Sequence, residues 1–396
     1  MALTRKNERE VVPQYSLTGD LLSFLRCGLQ YRYLNGSSLP PSRPVQLWFG
    51  EFIHGVMESA FRIWSSSTPP PAFPWPYNQT PPPPAEPPAG RLLHDIGVIG
   101  ETVEGTLRAK GTNPRSYAVR DNAYIRAVRA VNELGPHLFP LVSVAEEKVI
   151  GTRSIPASPP GQPPARSTLY ELHGIMDVLT NVQLGAAPTS NVIREAIQTA
   201  CPGCSGSYEV IVDYKGSRRP EASAANNSYW QVHDWQVQTY AWLRTRQPHS
   251  LPVAAGVLLY INELAPGRSD LVELKRAMSA GTADVVPVAG SQDAYLISTW
   301  QPRDAIPHLS LTFRLARAIR VIPVTPATQG VAATQFDSVV SRIEICAAHE
   351  ATAGTIMQHW SPCGDAETCT ACDFRHFCPS PHPQTPGYVP GAPEAP

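Results

Sequence analysis

The chain has 396 residues and a net charge of −1, enough length for a large core in one domain or two but no global basic field to draw in nucleic acid. Any contact with DNA or RNA must therefore come from a local patch. Arginine outnumbers lysine by 27 to five, which makes the placement of each lysine informative.

Residues 1–10 are polar and charged, and no later segment is apolar enough for long enough to span a bilayer. The chain reads as soluble and cytoplasmic, with no membrane partner. In that reducing compartment its eight cysteines point to metal or cluster binding rather than disulfides.

In chain order, residues 17–34 carry Leu17, Leu21, Leu25 and Leu29 at helical spacing, and residues 46–64 form a second amphipathic helix. Eleven prolines fall between Pro69 and Pro88, including Pro81 to Pro84, so this stretch is a loop or linker. Residues 117–138 read as helix with Arg120, Arg126 and Arg129. Strands follow over 141–150 and 169–180, then an insertion over 181–206 that holds Cys201-Pro202-Gly203-Cys204. A strand over 208–215, a helix over 229–246 and a strand over 253–262 come next. Residues 265–305 have no clear period. Helices are expected over 309–321 and 334–357, and a disordered proline-rich tail over 380–396.

The apolar run Tyr208-Glu209-Val210-Ile211-Val212 ends in Asp213-Tyr214-Lys215. A buried strand here would deliver an acid and a lysine, two residues apart, to one face of a sheet. Upstream, Gly174-Ile175-Met176-Asp177 ends an alternating strand, and Gly50-Glu51-Phe52-Ile53-His54 lies on the second helix. Two carboxylates and an imidazole make an oxygen and nitrogen set that suits Mg²⁺ or Mn²⁺. A metal-ionised water would be the nucleophile, and Lys215 would orient it or stabilise charge on the phosphoryl oxygens. Taken singly, each residue also has an ordinary reading: a structural histidine, a strand-end acid, a surface ion pair.

The series G-x-x-x-H, G-I-x-D, D-Y-K and then Q-x-x-x-Y resembles the PD-(D/E)XK nucleases of the RecB type. The likeness is to their iron–sulfur branch, which includes AddB-type and CRISPR-associated RecB-like exonucleases. It runs from Leu17 to Cys378, with long insertions at 65–115 and 181–206. The resemblance implies metal ligation by His54, Asp177, Asp213 and the Tyr214 carbonyl, with Lys215 catalytic. It implies that Gln236 and Tyr240, one helical turn apart, face the site and hold the DNA phosphate or the lysine. The gap from Asp177 to Asp213 is longer than a simple hairpin, and the insertion there would shape substrate access.

The implied fold is α/β, a restriction-endonuclease-like mixed sheet flanked by helices. A single nuclease domain would cover 1–379. It divides into N-terminal helices with Cys27 and His54 (11–64), a proline-rich insertion (65–115), the core (116–263) and a C-terminal helical and cluster segment (264–379).

Cys369-Thr370-Ala371-Cys372 and Cys378 form C-x₂-C-x₅-C, with Cys27 far upstream. Close spacing lets two thiolates grip one centre, and a distant thiolate closes a four-thiolate site. The iron–sulfur nucleases have the same arrangement, one cysteine before the core and three after, so the resemblance implies a 4Fe-4S cluster joining the two ends of the domain. Zinc is the alternative, since four thiolates suit either. Gly28 stands where a proline usually follows the first cysteine, and Cys363 competes for one ligand position. Cys201 and Cys204 are a loop pair or half a zinc site. Cys346 reads as a core thiol.

Arg314, Arg317 and Arg320 would share a helix face, and with Arg218 and Arg219 could follow a phosphate backbone, though a solvated face is the plainer reading. Of Trp230, Trp235 and Trp242, most should be core and one could stack on a base. No lysine follows a glycine, so a phosphate-loop motor is absent and a separate helicase or defence-system subunit would have to unwind long DNA. The function expected is a metal-dependent deoxyribonuclease, an exonuclease on single-stranded ends in repair, recombination or anti-phage defence. Alternatives are a structure-selective or nicking endonuclease, a non-catalytic DNA-binding subunit of a helicase–nuclease complex, and an RNA-processing enzyme.

Overall fold

The computed structural model describes residues 12–36, 45–78, 93–183, 190–222, 228–356 and 359–363, together with 368, 369, 372, 374 and 378. The expected disordered tail, the Pro81–Pro84 run and the Trp230 side chain lie outside the described residues.

The strands, in chain order, are β1 (Gln14–Ser16), β2 (Val142–Ser154), β3 (Leu169–Gln183), β4 (Ser207–Lys215), β5 (Val253–Tyr260) and β6 (Ile319–Pro323). They form one six-stranded mixed sheet in the order β1-β3-β4-β5-β6, with β2 on the other side of β3. β2, β3 and β4 pair antiparallel in sequence, β4 and β5 run parallel, and β6 returns antiparallel to β5. The apolar run of β4 explains its place at the centre: Val210, Ile211 and Val212 are fully buried between two layers. A strand covered on both faces needs such a continuous run, and each of these side chains contributes about 1.5–3 kcal/mol by its burial.

The helices are α1 (Ser23–Arg26), α2 (Gly28–Gly36), α3 (Val45–Ser66), α4 (Ile96–Ala109), α5 (Tyr117–Arg129), α6 (Gly135–Leu138), α7 (Val192–Ala200), α8 (Ser228–Arg244), α9 (Arg268–Ala280), α10 (Gln292–Thr299), α11 (Leu311–Ala318) and α12 (Pro326–Ala353). α3, α4 and α5 pack on one sheet face, where Trp48, Phe52, Ile96 and Tyr124 meet Val210 and Val212. The N-terminal segment, α8 and α12 pack on the other, where Leu21, Trp242 and Phe336 meet Leu172 and Ile211. A smaller cluster of Leu271, Ile297, Trp300 and Phe313 holds α9, α10 and α11 together.

Two glycines let α8 lie flat against the sheet. A Cβ on Gly174 of β3 would stand 2.5 Å from the Tyr240 ring, and one on Gly256 of β5 would stand 2.2 Å from Val237. Neither distance is tolerable for a real side chain. The glycine in the Gly174–Asp177 motif is therefore needed to seat the helix that carries Gln236 and Tyr240.

Several expected elements differ. Residues 17–34 do not form one helix: a wide π-turn over Leu17–Leu22 leads into α1, and Cys27 breaks the path in an extended conformation. Residues 309–321 divide into α11 and the strand β6, because the β-branched Ile319, Val321 and Ile322 pair with β5. α4 and α7 lie in stretches read as insertion or linker, and the 265–305 segment holds α9 and α10. Among the described residues no helix is long and apolar enough to cross a membrane.

Candidate active site

The expected residues meet where β3 and β4 part company. Along β3, Met176 and Leu179 enter the α8-side core while Val178 enters the α3-side core. Alternation therefore slips at Asp177, and Asp177 and Val178 line the same cleft. Facing this slip on β2 is Glu146, with φ +56°. A non-glycine residue in that region bends its strand at a cost of about 1–3 kcal/mol, and such bends re-aim side chains near functional sites.

The slip brings Asp177 to the backbone of β4. The Tyr214 N–H donates to Asp177 Oδ2 at 3.0 Å. His54, from the middle of α3, reaches the same point: Nδ1 is 3.2 Å from Asp177 Oδ1, and Nε2 is 3.2 Å from the Tyr214 carbonyl oxygen. Burial disfavours charge on His54, but the Asp177 and Asp213 carboxylates and the Tyr214 carbonyl outweigh it and push the imidazole up to about 9. Burial likewise opposes ionisation of Asp177, yet His54 and the Tyr214 N–H hold its carboxyl below the usual range.

Asp213 and Lys215 face the opposite side of β4, toward α8. Asp213 is buried, and burial raises its carboxyl to about 6 against the pull of Lys215. Lys215 Nζ lies 2.6 Å from Asp213 Oδ2. This buried ion pair supplies Asp213 with its charge partner. The well-aimed bond from Nζ goes to Gln236 Oε1 at 2.7 Å. Tyr240, one turn later, is hydrogen-bonded to Gln236 and lies in the field of both acids; burial first, then Asp213, raises its phenol. The carboxyls of Asp177 and Asp213 are hydrogen-bonding neighbours, which links the two halves.

All six expected side chains are thus brought together, with the Tyr214 carbonyl among them. Their chemistry, imidazole with hard oxygens, fits Mg²⁺ or Mn²⁺. Among the described residues, no three His, Cys, Asp or Glu side chains stand in coordinating geometry. The donor atoms are paired with each other instead, imidazole to carboxylate and carboxyl to carboxyl, and Asp213 is also paired with the Lys215 ammonium.

The sequence reading missed two acids. A narrow cleft opens beside His54 and Asp177 and is also lined by Glu58, Glu146, Met57 and Phe61. Burial raises the Glu58 carboxyl, and the neighbouring Glu146 adds to it. Glu58 follows His54 by one helical turn, a spacing that could have marked it. The backbone bend that turns Glu146 inward has no such signal.

The arginines correct an expectation. Arg317 is buried and binds Glu263 at 2.6 Å, while Arg314 binds Glu133 at 2.5 Å. Arg320 sits on β6, not on a helix, and pairs with Asp234 at 2.5 Å. Arg219 is buried against Asp284 and the carbonyls of Arg317 and Ile319. These groups join the α9–α11 segment to the end of β4 and do not form a phosphate track. Arg218 alone of the set is exposed. Arg120 and Arg126 are likewise paired, with Glu104 and Asp270. Trp235 and Trp242 are core residues, the former donating to the Ala332 carbonyl.

Among the described residues no cysteine forms a disulfide. Cys27, Cys363, Cys369, Cys372 and Cys378 line one small cavity. Cys201 is buried at the end of α7, with its thiol 3.8 Å from the Ala254 carbonyl, and Cys204 packs on the same core. Cys346 is half-buried and donates to the His359 carbonyl at 3.0 Å.

No family model matches the chain. No curated protein matches it. Among solved structures it is similar to one titled "Crystal structure of SSO0001", at 11% identity over 92% of this chain and 98% of that one, with a TM-score of 0.24. A likeness that weak carries no argument about fold or function.

Proposed function

We propose that the chain is a metal-dependent deoxyribonuclease with a restriction-endonuclease-like core, acting as an exonuclease on single-stranded DNA ends. The observation that carries this reading is the convergence of His54, Asp177, Asp213 and the Tyr214 carbonyl, with Lys215 held between Asp213 and Gln236. His54, Asp177, Asp213 and that carbonyl would hold Mg²⁺ or Mn²⁺. When bound, such an ion supplies a Lewis acid for the phosphodiester and lowers the pKa of a water.

The chain's own residues do the rest. Asp213 and Gln236 fix the Lys215 ammonium, so that it meets a phosphoryl oxygen without first being ordered. Gln236 and Tyr240 share a hydrogen bond, and their turn of α8 sets the depth to which a phosphate can enter. Apolar Met57 and Phe61 border the acids along the cleft. A group bound across the cavity of Cys27, Cys369, Cys372 and Cys378, an iron–sulfur cluster by resemblance, would tie the N-terminal helices to the C-terminal segment.

Incubation of the purified chain with end-labelled single- and double-stranded DNA tests the reading. Mononucleotides or short products from single-stranded ends in Mg²⁺ or Mn²⁺ are expected. Internal nicks in closed circular DNA as the main product would replace the exonuclease by an endonuclease.

A further inference from the structure

We propose that His233 is a further substrate-binding residue of the candidate site, a neutral imidazole whose Nε2–H donates to a phosphoryl oxygen of the DNA strand beside Lys215. The inference rests on the nuclease reading and extends that site by one strand of the sheet.

β4 and β5 run parallel, and their register sets Lys215 beside Tyr260. α8 meets both side chains. Gln236 accepts from the Lys215 ammonium at 2.7 Å, and His233 Nδ1 lies 3.0 Å from the Tyr260 hydroxyl. His233, Gln236 and Tyr240 are spaced three and four residues apart, so they share one face of α8. The helix face that holds the lysine therefore continues over β5 and carries an imidazole there.

The hydrogen bonds decide which ring nitrogen has the proton. Arg320, on β6, hydrogen-bonds to the Tyr260 hydroxyl. A guanidinium only donates, so the phenol oxygen accepts from it. Tyr260 is fully buried, and burial raises its phenol to about 12, so it keeps its own proton. That buried O–H needs an acceptor, and His233 Nδ1 is in place. An imidazole that accepts at Nδ1 carries its proton on Nε2.

The ring is also neutral. Burial, then Lys215 and Arg320, push His233 down to about 3, and the adjacent acid, Asp234, is paired with Arg320. A charged imidazolium would be repelled by the Lys215 ammonium, whereas a neutral N–H adds a hydrogen bond to a phosphate without that repulsion. His233 keeps 8% exposure. Among the described residues its hydrogen bond is to Tyr260, and Nε2 is not one of the buried nitrogens that lack a partner. Nε2 is therefore open to a ligand.

Single-turnover cleavage of an end-labelled single-stranded oligonucleotide in Mn²⁺, over a range of protein concentrations, separates half-saturation from the maximal rate. His233→Ala should raise half-saturation about tenfold and leave the maximal rate within about threefold, the reverse of Lys215→Ala. His233→Gln, whose amide can donate from the place of Nε2, should recover most of the affinity. Nitrogen NMR of histidine-labelled wild-type protein reads the ring directly, with the signal assigned by its loss in His233→Gln. It should show the Nε2–H tautomer, and that N–H should shift when the same oligonucleotide is added in EDTA. Unchanged half-saturation in His233→Ala, an Nδ1–H tautomer, or a ring signal indifferent to DNA would overturn the inference and leave the nuclease reading standing. A wild type that neither binds nor cleaves DNA would overturn both.

Discussion

The backbone of Tyr214 is gripped from two sides: its N–H donates to Asp177 at 3.0 Å, and its carbonyl oxygen lies 3.2 Å from His54 Nε2. One residue therefore joins β3, β4 and α3, while its sequence neighbours Asp213 and Lys215 turn the other way, toward α8. The candidate site is built across a strand rather than on one face of it, and this separates the work of its parts.

Lys215 should act on the transition state more than on binding. Asp213 and Gln236 already hold its ammonium, so its position does not depend on substrate. Lys215→Ala is expected to lower kcat by about 10²–10³ with little change in DNA affinity. Single-turnover cleavage and fluorescence anisotropy separate the two. A collapse in affinity with an unchanged rate at saturation would make Lys215 a phosphate contact only.

Metal affinity should rise with pH. A metal needs neutral imidazole, and His54 keeps its proton up to about 9, because Asp177, Asp213 and the Tyr214 carbonyl outweigh burial. Below that point each bound ion displaces one proton, so affinity falls about tenfold for each pH unit lost. Below about 6 the Asp213 carboxyl also takes a proton, and the fall steepens. Calorimetric titration with Mn²⁺ in buffers of different ionisation heat counts the protons. Zero released at pH 7.5 would remove His54 from the ligand set.

Arg219 and Arg218 are adjacent but should behave oppositely. Arg219 is buried with Asp284, and removing one partner of such a pair costs about 3–5 kcal/mol. Arg219→Ala should therefore unfold at lower urea concentration. Arg218→Ala should leave stability unchanged, since its side chain is exposed. Equal stability of the two variants by urea denaturation would show that the buried network is not load-sharing.

Much of this was legible in the residues. The D-Y-K strand end, the G-I-x-D strand and the histidine helix lie where their patterns place them, because the continuous apolar run of β4 and the apolar positions of β3 and α3 are buried in the two cores. Gln236 and Tyr240 were readable as neighbours one turn apart. What could not be read was tertiary. β6 looked like the end of a helix because its partner strand, β5, is remote in sequence. The arginine triplet looked like a basic face because Glu133, Glu263 and Asp234, which neutralise it, lie on other elements. Glu146 enters the cleft through a backbone bend that its own residue type disfavours.

A glycine in the first acidic motif should matter for packing rather than chemistry. Gly174→Ala would place a methyl group 2.5 Å from the Tyr240 ring, so strand or helix must shift. A cost of about 1–3 kcal/mol is expected, together with slower cleavage as Tyr240 and Gln236 move. A variant with wild-type stability and rate would mean that α8 is free to slide on the sheet.

The most direct measurement is cleavage of end-labelled single-stranded DNA by wild-type protein and by Asp213→Asn, each in Mg²⁺, Mn²⁺ and EDTA, with folding of both checked by circular dichroism. The account predicts metal-dependent cleavage by the wild type, none in EDTA, and none by a folded Asp213→Asn. Cleavage that persists in EDTA or in the variant, or a wild type inert with both metals, would contradict it.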